Sequence, residues 1–291
     1  GYAAGIAVTT GTLNTLVGGI AGDALTTGQQ NVAMGYGALS ADDVGSHSVA
    51  VGVNALLSQN FATGTNSYNT AVGSGAGAAV TTGVQNTFIG GLAGDAVTDA
   101  DYNVSVGYGS LTTNVLGSRS VAIGVGTLAT QNPATATDMY NTAVGINAGN
   151  AVTTGTANTI VGGEAGDALT TGVRNTVVGT YALTADDLGS YSTALGYNTL
   201  AALNYSTATN SYNTAVGARA GEAMTTGVQN TLIGGLAGDD LTDGDANTAV
   251  GYTALSGAVT GDNNTAVGSR AMLSNTSGAQ NTGLGKDALY T

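Results

Sequence analysis

The chain has 291 residues, with 48 Gly, 1 Pro and no Cys or Trp, and only 8% of its residues are charged. A net charge of −13 argues against nucleic acid as a partner, because phosphate binding needs clustered Lys and Arg. Its apolar stretches fall far short of the ~20 residues of a spanning helix, so no membrane insertion is expected, and its Val, Ile, Leu and Thr are too plentiful and too regularly placed for disorder.

The first predicted element is the pentad at 14–18, Asn-Thr-Leu-Val-Gly, and related pentads begin at Asn31, Ser48, Asn69, Asn86, Asn103, Ser120, Asn141, Asn158, Asn175, Ser192, Asn213, Asn230, Asn247, Asn264 and Asn281. Sixteen repeats result, of 17 or 21 residues, and three of 17 with one of 21 make a super-repeat of 72. Tyr68, Tyr140 and Tyr212 stand at the same place in it, directly before a pentad. A 21-residue repeat is due at Asn264, yet the next pentad begins 17 later, so the last super-repeat departs from the rhythm. Residues 1–291 read as a single repeat array rather than two ordinary domains.

Each pentad predicts a short strand. Its second residue is Thr or Val and its fourth is Val, Ile, Leu or Met, and in a period-two strand these share a face. The fourth position is the expected repeat core: Val17, Val51, Val72, Ile89, Ile123, Val144, Val161, Val216, Ile233 and Val250 among others. The closing Gly predicts a bend with positive φ. A second motif follows, Ala-Gly in some repeats (Ala21-Gly22, Ala93-Gly94) and Ala-Leu in others (Ala38-Leu39, Ala55-Leu56). The Ala-Gly repeats carry Leu25, Val80, Val97, Val152 or Leu169 three residues after the Gly, so core volume moves between two nearby positions. Thr-Thr-Gly turns close the repeats, and the longer ones add a polar excursion such as 63–68.

A repeat this small cannot bury its apolar face alone, so successive repeats must stack. The predicted fold is all-β, a parallel β-solenoid or β-roll of sixteen coils, roughly 75 Å long at ~4.8 Å per coil. Asn opens thirteen of the sixteen pentads, which predicts a ladder of stacked amides.

Asn-Thr-Ala-Val-Gly, Ser120-Val121-Ala122-Ile123-Gly124 and Ser48-Val49-Ala50-Val51-Gly52 resemble the head repeats of trimeric autotransporter adhesins, and similar Asn-Thr-rich repeats look like those of bacteriophage tail fibres. The resemblance covers essentially the whole chain. It implies an interwound or side-by-side homotrimer and a role in attachment at a cell surface or virion, hence an extracellular location.

Enzymatic chemistry is not expected. His47 is the only His, so an acid–base arrangement has one possible base, and Arg119 and Tyr191 occupy its place in equivalent repeats. Asp23, Asp95, Asp167 and Asp239 recur every 72 residues; they read as turn caps, with calcium the alternative, although the calcium-roll pattern is missing. No other cofactor is expected. Asn103, Asn204, Asn263 and Asn275 lie in Asn-x-Ser/Thr sequons and are the candidate glycosylation sites. Gly1 aligns with Gly145 and the chain stops after Tyr290-Thr291, both in mid-repeat, so a segment of a longer or end-to-end fibre is expected. The expected function is a structural fibre or shaft that partners itself and meets cell-surface glycans. The alternative is a glycan- or ice-binding solenoid, which needs one flat, unbroken face that the four-residue insertions are expected to interrupt.

Overall fold

The computed structural model describes residues 1–257 and 260–290, so the terminal Thr291 lies outside the described residues. It comprises two compact units, Gly1–Asn141 and Thr142–Thr291. Each is a parallel β-solenoid, and among the described residues there is no helix. The N-terminal unit carries three-residue strands at Thr15–Val17, Val32–Met34, Val49–Val51, Thr70–Val72, Thr87–Ile89, Val104–Val106 and Val121–Ile123. The C-terminal unit carries them at Thr142–Val144, Thr159–Val161, Thr176–Val178, Thr193–Leu195, Thr214–Val216, Thr231–Ile233, Thr248–Val250, Thr265–Val267 and Thr282–Leu284. Within each unit every strand pairs with the next in parallel, residue for residue, as in Thr70↔Thr87 and Thr159↔Thr176.

The strands lie with the opposite face inward from the one the sequence predicts. The third pentad residue points into the coil: Ala33, Ala50, Ala71, Phe88, Ala143, Ile160 and Leu232 are all fully buried. The fourth points out. Val17 is 51% exposed, Ile89 41%, Ile233 40%, Ile123 39% and Val72 37%, while Val51, Val144, Val161, Val216 and Val250 are half-buried. None of these ten fills the lumen of its coil. The reason is room: a coil of 17 residues is narrow, and its lumen is already filled from other positions.

Those other positions trade volume in the way the second motif predicts. In Ala-Leu coils the Leu is buried, as at Leu39, Leu56, Leu183 and Leu255; in Ala-Gly coils Leu25, Val80, Val97, Val152 and Leu169 take over. A large third residue goes with Gly in the second motif: a Cβ on Gly238 would meet Leu232 Cδ2 at 2.9 Å, and one on Gly94 would collide with the Phe88 ring. Close packing of the lumen therefore couples three sequence positions.

Corners are made by left-handed residues. The closing Gly of each pentad has φ between 116° and 142°, a region only Gly occupies comfortably. Three further corners per coil use αL residues that are often not Gly, such as Gln30, Asn54 and Leu56 in the N-terminal unit. Each costs roughly 1–2 kcal/mol, offset by backbone bonds to neighbouring coils: Gln30 N donates to Thr12 O at 3.0 Å, Asn54 N to Tyr36 O at 2.9 Å and Leu56 N to Ala76 O at 3.1 Å.

The first pentad Asn is fully buried in most coils and forms a ladder, but of side chain to backbone. Asn86 N donates to Asn69 Oδ1 at 2.9 Å, Asn103 N to Asn86 Oδ1 at 2.9 Å, and in the C-terminal unit Asn247 N to Asn230 Oδ1 at 2.8 Å. The Asn Nδ2 meanwhile closes its own coil, as from Asn86 to Ala100 O at 2.8 Å. In the 21-residue coils that begin with Ser48 and Ser192, the shorter hydroxyl pairs with a loop serine, Ser67 at 2.5 Å and Ser211 at 2.6 Å. The insertion leaves the main ladder in register: Val49↔Thr70, Ala50↔Ala71 and Val51↔Val72 pair across it, as do Thr193↔Thr214 and Leu195↔Val216. Its extra residues pair elsewhere, Gly117–Ser118 with Thr137–Asp138 and Gly189–Ser190 with Thr209–Asn210.

Candidate functional site

Two surfaces carry what chemistry the fold offers. The first is the outer face of the strand ladder, built from the second and fourth pentad residues. In each unit the fourth residues form a column of Val, Ile, Leu and Met, and beside it runs a column of Thr and Val; neither position holds a charged residue in any of the sixteen repeats. In the C-terminal unit the Thr column is complete: Thr142, Thr159, Thr176, Thr193, Thr214, Thr231, Thr248, Thr265 and Thr282. Insertions do not interrupt this face, contrary to the sequence expectation, because they leave the coil at a different corner.

The second surface is the left-handed corner directly before each pentad. In the N-terminal unit it places Gln30, His47, Tyr68, Gln85, Tyr102, Arg119 and Tyr140 on successive coils. His47 and Tyr68 lie with ring centroids 5.0 Å apart, and the Arg119 guanidinium sits between Tyr102 at 4.7 Å and Tyr140 at 5.9 Å. In the C-terminal unit Arg174 covers Tyr191 at 5.4 Å, which stacks on Tyr212 at 5.1 Å. Planar groups on adjacent coils thus come into contact, tilted by 50° at His47–Tyr68 and stacked at Tyr191–Tyr212, because the coils are spaced by one inter-strand distance. The sequence marked Tyr68, Tyr140 and Tyr212 by their period and His47, Arg119 and Tyr191 as equivalents; that each set packs ring to ring or ring to guanidinium with its neighbours within its own unit is the structure's addition.

His47 is half-buried against Tyr68, and no carboxylate–imidazole pair is formed at it. Among the described residues no three His or acidic side chains converge as metal ligands would. Asp95 accepts from Thr112 Oγ1 at 2.6 Å, and Asp42, Asn114 and Asp186 each accept from the N–H three residues on, at 2.9, 3.0 and 2.9 Å. Burial raises the pKa of Asp42 and, to about 6, that of Asp186.

Of the four sequons, Asn103 is fully buried with its amide donating to Gly117 O at 3.0 Å, so the fold withholds it from a glycan. Asn204 and Asn263 are exposed, and Asn275 is half-buried with its amide donating to Gly278 O at 3.0 Å. No helix among the described residues is long and apolar enough to cross a membrane. No family model, curated protein or solved structure matches the chain.

Proposed function

We propose that the chain is a segment of a structural fibre that serves attachment at a cell surface or virion, built from three copies packed side by side through the outer faces of their strand ladders. One observation carries this reading: in each unit a column of Val and Ile side chains on a face without charge, 37–51% exposed at Val17, Val72, Ile89 and Ile123 in the first unit and 40% at Ile233 in the second. A long apolar face of this kind is what monomeric surfaces avoid and interfaces use. Further copies of the chain are the occupants that fit, because their own ladders have the same spacing and the same pairing of Thr with apolar columns, and a rotation that closes such contacts yields a ring of three. The fibre has no catalytic role in this reading; it acts by length, stiffness and surface.

Sedimentation equilibrium and electron cryo-microscopy test it. Three chains in one cross-section with an axial rise of ~4.8 Å per coil are expected, and Ile89→Lys with Ile233→Lys should release monomers whose β circular dichroism is unchanged. A wild-type chain that stays monomeric at high concentration overturns it. The complete Thr column of the C-terminal unit favours a second reading, an ice-binding module using the same face. That reading predicts a monomer with thermal hysteresis, abolished by Thr214→Lys.

A further inference from the structure

In the N-terminal unit the loop of the third coil helps form an open recess of about 510 Å³ at the corner stripe, lined by Gln29, Gln30, Ser46, His47, Gly64 and Asn66 among others. The volume lies within the range of roughly 300–1,000 Å³ typical of small-molecule sites. We propose that this recess binds a neutral pyranose, a hexose or N-acetylhexosamine unit of a glycan; the proposal deepens the attachment reading and rests on it for its biological purpose.

The lining argues for that class. Side-chain amides and a hydroxyl each donate and accept, which matches sugar hydroxyls that do both. His47, at 5.0 Å from Tyr68 and tilted 50° to it, presents ring surface for the C–H face of a pyranose, with Tyr68 half-exposed beside it. No carboxylate, ammonium or guanidinium lines the recess, which disfavours a charged ligand.

The super-repeat supplies an internal comparison. The same frame is built three times: Gln29 N donates to Ser46 Oγ, Asp101 N to Ser118 Oγ and Val173 N to Ser190 Oγ, each at 3.0 Å. In the second copy Arg119 and Asp138 replace His47 and Asn66, and their ion pair at 3.0 Å spans the equivalent place. In the third, Val173 replaces Gln29, and Arg174 donates to the Tyr191 hydroxyl. The frame therefore needs none of the amides and the imidazole for its own construction; only the first copy combines them.

The test is saturation-transfer NMR on the full chain with methyl glucoside, methyl galactoside, methyl mannoside and N-acetylglucosamine, and with glucuronic acid as the charged control. Transfer to the ring protons of at least one neutral sugar is expected. His47→Ala should weaken it about tenfold, the loss of one stacking contact. His47→Arg with Asn66→Asp writes the second copy's ion pair into the first and should abolish transfer, whereas Tyr140→Ala should leave it unchanged. Transfer to no neutral sugar, to glucuronic acid alone, or undiminished in the double variant overturns the site. Should the double variant fail to fold, Gln30→Ala, on an exposed side chain, decides in its place. Sedimentation of the same samples separates the two readings: a monomer that binds sugar overturns the fibre and keeps the site, and a trimer that binds none does the reverse.

Discussion

At Asp42 and Asp186 the same turn is built twice with one difference. Both side chains are fully buried and accept the N–H three residues on at 2.9 Å, but Asp42 Oδ2 also takes a bond from Gln59 Nε2 at 2.7 Å, whereas Leu203 stands in Gln59's place at the second site. Asp186 Oδ2 is left buried without a partner, and burial pushes its pKa from the ordinary 3.8 to about 6. The folded chain therefore holds this proton more tightly than the unfolded chain. Stability from this group is greatest below about pH 4, falls as pH rises to about 6, and is level above, with a total on the order of 3 kcal/mol. Asp186→Asn should remove that slope, since Asn114 makes the same turn in the second super-repeat. Leu203→Gln should lower the pKa and raise stability at pH 7 by roughly 1–2 kcal/mol. Urea unfolding at pH 4 and pH 7 measures both; an unchanged difference between the two pH values in Asp186→Asn would show that the slope comes from elsewhere.

At the scale of the coil, backbone approach dictates which glycines are replaceable. Gly162 has φ 142° and a Cβ there would lie 2.5 Å from Gly179 O, whereas its neighbour Gly163 has open space around that point. Gly162→Ala should cost on the order of 3 kcal/mol or more and Gly163→Ala under about 0.5 kcal/mol, read as shifts in the thermal transition. The repeat, the strands and the pentad Gly were legible in the sequence because each is a local regularity. Which strand face turns inward was not, since Val and Ile at the fourth position outweigh Ala at the third on any hydrophobic scale. The signal that could have corrected it lies in a correlation: the large third residues Leu16, Phe88, Ile160 and Leu232 all occur in coils with Gly in the second motif. The recess at His47 was illegible for a different reason, because its walls come from three coils and depend on where an insertion leaves the ladder.

Across each unit the ladder is held by bonds that repeat from coil to coil, so stability accumulates from nearest neighbours rather than from one central core. Removing residues 31–102, one whole super-repeat within the N-terminal unit, joins Gln30 to Asn103 at equivalent corners. The shortened chain should keep its β circular dichroism per residue and lose less than a few degrees of thermal stability. Removing 31–100 instead should fail to fold that unit, since a shift of two residues brings mismatched corners together.

The insertions that bypass the ladder have a consequence for inheritance. Since a 21-residue coil keeps the pairing of its 17-residue neighbours, unequal recombination between the similar copies of the 72-residue cassette yields chains of different length that all fold by the same contacts. Substitutions in the excursions then change what a given rung displays without touching the pairing. Length and surface can therefore diverge independently, and a lineage can lengthen its reach in steps of four rungs while retaining, discarding or multiplying a decorated loop.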